Sequence, residues 1–66
     1  SAGLQDAACI AERCLVELDR LFIRIYEDNV SGRITDERFS LMSKTYEDEQ
    51  AQLKVDIHRL RQEIEV

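Results

Sequence analysis

The sequence predicts an all-α protein, an antiparallel two-helix coiled-coil hairpin. The 66-residue chain has no Pro and only two Gly, so it offers few places for a turn. Its apolar residues recur at steps of three and four, the period of one face of an α-helix. At 44% hydrophobic and 35% charged residues, the chain is too apolar for a disordered tail and too charged for a membrane span.

A first helix is predicted over about residues 4–30. Its apolar stripe alternates steps of four and three residues, which makes a heptad pattern over three repeats. The stripe consists of Leu4, Ala8, Ala11, Leu15, Leu18, Phe22 and Ile25. Cys14 and Leu21 are expected to widen it on one flank, and wide stripes are typical of helix bundles.

A turn is predicted at about residues 31–34. Gly32 is the only glycine in the interior of the chain, and a glycine readily adopts the left-handed conformation that closes a helix. Thr35 is a suitable N-cap for a following helix. Two acidic residues come directly after it, where the helix dipole favours negative charge.

A second helix is predicted over about residues 35–65. Its stripe consists of Phe39, Met42, Tyr46, Leu53, Ile57, Leu60 and Ile64, with Gln50 in the one gap. No capping signal precedes the last residue, so we expect a fragment of a larger protein in which this helix continues.

A short turn between two long helices forces them to lie antiparallel. One hairpin buries a single seam and leaves apolar flanks uncovered, among them Ile23, Leu41, Ala51 and Val55. We therefore expect self-association, in its simplest form a homodimer that makes a four-helix bundle.

No catalytic, cofactor or metal site is expected in this segment. Val55 stands three residues before His58, so the Glu-x-x-His motif of di-metal bundles is missing. Cys9 and Cys14 lack metal-binding spacing; we expect free thiols in a reducing cytoplasm, with an intermolecular disulfide as the alternative. A two-helix rod also offers no concave, partly dry place for acid–base catalysis, so we expect no enzymatic activity.

The formal net charge of −5 argues against nucleic-acid binding by this segment, because polyanions are bound by clustered Lys and Arg. It also disfavours an anionic membrane surface. Charges four residues apart on the predicted helices are expected to pair as solubility features. These pairs are Arg13–Glu17, Lys44–Asp48, Arg59–Glu63 and Arg61–Glu65.

The turn region carries charges in an unusual place. Glu27 and Asp28 fall in the last turn of the first helix, where the dipole disfavours anions. Arg33 and Arg38 are near enough in sequence to neutralise them. Two interpretations stay open: an ordinary ion-paired corner, or a polar tip that recognises another protein. The tip residues are Tyr26, Glu27, Asp28, Asn29, Arg33 and Arg38.

The segment YEDNVSGRITDERF at 26–39, followed by YEDEQ at 46–50, resembles the coiled-coil segment of large serine recombinases. These are the site-specific integrases of transposons and phages of Gram-positive bacteria. The shared pattern has the form YEDxxxGxIxDERF…YExEQ, and the resemblance covers roughly residues 15–60. The turn motif is distinctive, whereas the flanking helices are generic heptad sequence.

The resemblance implies a helical arm that contacts the arms of other recombinase subunits and helps or blocks synapsis. DNA binding, the catalytic serine, the Arg cluster and a zinc ribbon belong to other domains, so none of their residues is carried onto this chain. Arm contacts are expected to use the apolar flanks, namely Leu21, Ile23, Tyr26, Val30 and Leu41. The alternative is a structural dimerisation hairpin of an unrelated cytoplasmic protein.

Overall fold

The computed structural model describes the backbone of residues 2–65 and the side chains of residues 3–63. It contains two α-helices, α1 (Ala2–Val30) and α2 (Asp36–Glu65), and no strand within the described residues. The predicted all-α class and the two packed helices are confirmed. α1 starts two residues earlier than expected. The side chain of Ile64 and that of Glu65, the expected partner of Arg61, lie outside the described residues.

The two helices lie side by side and run antiparallel. Near the turn, the ring of Phe22 contacts that of Phe39, while at the far end Arg61 of α2 reaches Glu12 of α1. The hairpin measures 49 × 15 × 11 Å. Its length matches a 30-residue helix, about 45 Å at a rise of 1.5 Å per residue, so the molecule is one rod two helices wide.

The buried seam follows the predicted stripe of α1. Ala8, Leu18 and Ile25 are the buried apolar residues of the described chain, at 4%, 7% and 5% exposure. The other four members of that stripe are half-buried. On α2, every stripe residue with a described side chain is half-buried, including Gln50. The core is therefore a single line of contacts along the rod.

The expected widening of the α1 stripe does not lead to burial. Cys14 and Leu21 are both exposed, because a single neighbouring helix covers one seam and leaves both flanks of α1 open. Ile23, Leu41 and Val55 are exposed as expected. Apolar surface is thus distributed over the outside of the rod as well as between its helices.

Candidate interaction surface at the hairpin tip

The turn between the helices closes α1 with a Schellman motif. Gly32 has φ +83°, and its N–H donates to the carbonyl of Asn29 at 3.1 Å. The N–H of Arg33 donates to the carbonyl of Asp28 at 2.8 Å. These are the two backbone bonds that define the motif, with the left-handed residue just past the helix end. The predicted role of Gly32 is confirmed.

An ion pair spans this turn. The guanidinium of Arg33 lies 3.7 Å from the Asp28 carboxylate, between the two positions that usually make an apolar contact in a Schellman motif. The expected neutralisation of Asp28 by Arg33 is confirmed. That by Arg38 is wrong, because no ion pair of Arg38 is found among residues 3–63. Arg38 lies at the third position of α2 with an exposed side chain.

Asn29 links the end of α1 to the start of α2. Its side-chain Nδ2 donates to the carbonyl of Ile34 at 3.1 Å and to Oδ1 of Asp36 at 2.8 Å. An amide nitrogen has two hydrogens to donate, so both donors of this half-buried side chain are used. We refer to these two bonds as the Asn29 latch.

α2 begins with the predicted cap. The hydroxyl oxygen of Thr35 accepts the backbone N–H of Arg38 at 3.1 Å. The carbonyl of Thr35 accepts the N–H of Phe39 at 2.8 Å, the first helical bond of α2. The bond from Arg38 to the Thr35 hydroxyl satisfies one of the N–H donors that a helix start leaves without a partner. The prediction of Thr35 as the N-cap is confirmed.

An aromatic cluster lies directly below the turn. The ring of Phe39 meets those of Phe22 and Tyr26 edge to face, with centroids 6.1 and 6.3 Å apart. Each such contact contributes about 0.5–1.5 kcal/mol beyond the burial of area. Tyr26 is nevertheless 55% exposed, so its ring contacts Phe39 while more than half of its surface faces solvent.

The ten residues predicted to contact a partner divide into two groups. Asp28, Asn29 and Arg33 are engaged in holding the turn. The side chains of the other seven are exposed: Leu21, Ile23, Tyr26, Glu27, Val30, Arg38 and Leu41. Residues two apart on an α-helix point about 160° away from each other, so Leu21 and Ile23 lie on different sides of the rod. Their part in a contact stays a prediction.

Polar contacts cross between the helices on one flank. Nε2 of Gln50 donates to Oδ1 of Asp19 at 2.5 Å, and Arg61 binds Glu12. Gln50 thus fills its gap in the stripe with a bond to the other helix. Sequence reasoning missed both contacts, because they depend on the register between the helices rather than on spacing within one.

The ion pairs along each helix differ from those expected. Lys44–Asp48 is confirmed at 3.1 Å. Glu17 instead binds Arg20 at 2.8 Å, and Arg59 lies 3.9 Å from Asp56. Both observed pairs are three residues apart, a spacing that brings side chains as close as four does. The predicted pairs Arg13–Glu17 and Arg59–Glu63 are therefore wrong.

The described residues contain neither a metal-binding cluster nor a helix that could span a membrane. Residues 3–63 bring together no group of three His, Cys, Asp or Glu side chains suited to a metal ion. Cys9 and Cys14 are free thiols, and His58 is exposed. In the part of the chain that the structure describes, neither helix has the length and apolarity needed to cross a bilayer.

Comparison with known proteins gives no relative. No protein-family model, no curated protein and no solved structure matches the chain. A function is therefore proposed from the geometry of the rod, the chemistry of its tip and the resemblance carried by residues 26–39.

Proposed function

We propose that this hairpin is the protein–protein interaction arm of a large serine site-specific recombinase. It helps synapsis and its control during DNA integration and excision by binding the arms of other recombinase subunits. The observation that supports this role is the position of the resembling segment, since residues 26–39 make up the whole tip of the rod. In this proposal the parent is a bacterial cytoplasmic protein that binds DNA through other domains, one of which holds zinc.

The shape and charge of the hairpin suit such an arm. A net charge of −5 repels DNA, so the rod extends away from the duplex that the parent holds. With a long dimension of 49 Å, it presents its tip far from its base. Tyr26, Val30 and Arg38 are exposed there, and no hydrogen bond or ion pair in the turn uses their side chains. They are the side chains offered to a partner arm.

Two tests separate this function from its alternative. The gene that encodes the hairpin is expected to encode a resolvase-type catalytic domain and paired Cys-x-x-Cys motifs. In the parent protein, the double variant Tyr26→Ala and Arg38→Ala is expected to bind a single attachment site normally but to reduce synaptic complexes at least tenfold in native gels. Val55→Ala, on an exposed part of α2 away from the tip, is the matched control. Normal synapsis by the double variant contradicts the proposal.

The second candidate is a structural dimerisation hairpin of an unrelated cytoplasmic protein. It is favoured by the apolar residues exposed along α1 far from the tip, such as Ile10 and Val16. A parent sequence without a recombinase catalytic domain supports this candidate and removes the first one.

A further inference from the structure

A second apolar stripe runs along the outside of α1. Cys9, Val16, Ile23 and Val30 follow one another at intervals of seven residues. Because seven residues fall about 20° short of two full helical turns, the four side chains form one nearly straight line about 32 Å long. Val16, Ile23 and Val30 are 50%, 57% and 69% exposed, and Cys9 is exposed as well. We refer to these four residues as the outer stripe.

The outer stripe is distinct from the buried seam. Each of its members directly follows a position of the buried repeat, as Cys9 follows Ala8 and Val16 follows Leu15. At 100° per residue, the outer stripe therefore lies about 130° around α1 from the centre of the seam. α2 cannot cover it. The same regularity that builds the hairpin is thus repeated on a face without a partner.

Exposed apolar side chains are concentrated on α1. Of the eight large apolar side chains that are exposed among residues 3–63, six lie on α1. The other two are Leu41 and Val55 on α2, at 66% and 63% exposure, and they are fourteen residues apart with Asp48 midway between them. α2 therefore presents no continuous apolar line. A partner that buries apolar surface gains most by docking on α1.

The elongated hairpin exposes more surface than a compact monomer of the same mass. The chain exposes 5149 Å², whereas a compact folded monomer of 7.7 kDa exposes about 4,300 Å². The excess is about 800 Å², which equals the share that each partner loses in a standard protein–protein interface. A second hairpin docked along one side of the rod can bury an area of this size.

The charges beside the outer stripe fit a second copy of this chain. Glu12 and Asp19 stand three residues after stripe members, on one edge, where they also contact Arg61 and Gln50 of α2. Arg13 and Arg20 stand four residues after stripe members, on the other edge, which Glu27 shares, and Arg20 also contacts Glu17. When two α1 helices pack in parallel along this line, opposite edges meet, so Glu12 and Asp19 of each copy face Arg13 and Arg20 of the other. A two-fold interface uses the same patch on both partners, and over residues 9–23 this patch is complementary to itself in charge.

We propose that a second copy of this chain docks in parallel along the outer stripe of α1, giving a four-helix assembly with the two α1 helices at its centre. The inference deepens the proposed interaction role, on which it rests for its biological meaning, by naming the surface and the partner. Self-association through α1 covers Val30 and leaves both tips at the same end of the assembly, where Arg38 and the turn stay accessible.

The first test compares matched variants in sedimentation equilibrium. The double variant Val16→Glu and Ile23→Glu is expected to raise the dimer dissociation constant at least about 100-fold, because the contact buries these side chains in both copies. The control is Leu41→Glu with Val55→Glu, which are equal in size and somewhat more exposed on α2; this double variant is expected to change the constant less than about threefold. A monomeric unmodified chain, or equal weakening by both variants, overturns the proposal.

The second test uses the two free thiols and introduces no charge into the stripe. Cys9 belongs to the outer stripe, whereas Cys14 points about 140° away from it. As protein concentration rises, alkylation of Cys9 by iodoacetamide is expected to slow at least fivefold while that of Cys14 stays constant. Mild oxidation is expected to cross-link the Cys14→Ser chain through Cys9 but not to cross-link the Cys9→Ser chain. This measurement decides the matter even where a charged variant loses helicity.

The outcomes distinguish the surface from the function. Protection or cross-linking at Cys14 instead of Cys9, or at neither thiol, overturns the outer stripe and leaves the synapsis role of the tip to its own assay. Normal synapsis by the tip variant of the parent contradicts the recombinase arm and leaves the thiol result unaffected.

Discussion

The left-handed turn at Gly32 offers a clean measurement of backbone strain. Gly32 has φ +83°, and a Cβ placed on it would meet no heavy atom within 4 Å. Replacing it by Ala therefore adds no steric clash with the rest of the hairpin. The cost is only that of holding an L-residue in the left-handed region, about 1–2 kcal/mol. Since Ala also restricts the unfolded chain, which offsets about 0.4–1 kcal/mol, we expect a net loss of about 1 kcal/mol.

A graded series makes this prediction specific. Gly32→Asn is expected to cost less than Gly32→Ala, because Asn tolerates the left-handed conformation, and Gly32→Val is expected to cost more, because β-branching does not. The assay is urea unfolding followed by far-ultraviolet circular dichroism at one fixed protein concentration. Dimer formation would otherwise change the apparent stability. If Val unfolds at the same urea concentration as Gly, the turn does not depend on a left-handed residue and the reasoning is wrong.

Three further changes probe the seam and the tip by the same unfolding assay. Leu18→Ala removes a side chain that is 7% exposed and is expected to cost about 2–4 kcal/mol; Leu21→Ala, on the open flank, is the control, and equal losses would contradict the single seam. Asn29→Ala removes both bonds of the Asn29 latch and is expected to cost about 1–3 kcal/mol, so an unchanged midpoint would show that the latch contributes nothing. Ser43→Ala removes a buried hydroxyl that finds no hydrogen-bond partner and is expected to stabilise the hairpin by about 1 kcal/mol; destabilisation would reveal a bond to that oxygen.

Local rules made most of the fold predictable. Gly32 ends α1 and Thr35 starts α2 through contacts with residues three or four positions away, so a short stretch of sequence is enough to predict them. The seam of α1 followed from spacing, since Ala8, Leu18 and Ile25 occupy one face of any helix that contains them. These features do not depend on how the two helices are aligned.

Contacts that join the helices were harder to predict. The bonds Arg61–Glu12 and Gln50–Asp19 depend on the relative shift of α1 and α2, which no spacing within one helix determines. Arg61 could equally have been satisfied within α2. Cys14 and Leu21 widen the apolar stripe without being buried, because a wide stripe is buried only when a third helix is present.

The residues of the candidate site were predictable from the sequence. Which of them hold the turn and which stay exposed was less so. The sequence predicted the pair of Asp28 and Arg33, but Asn29 looked as available to a partner as Tyr26. Only the three-dimensional turn shows that Asn29 is already engaged. The role of Asn29 needed the carbonyl of Ile34, which the sequence does not mark. The outer stripe, in contrast, is visible as a seven-residue repeat.

The Asn29 latch and the Arg33–Asp28 pair have a consequence for recognition. Both fasten the tip from within the chain, so its shape is set before any encounter. When a surface is already ordered, binding does not have to offset the loss of conformational entropy that ordering would cost. For the interaction role that we propose, the tip therefore offers a preformed surface, and little of the free energy of a contact is spent on ordering the turn.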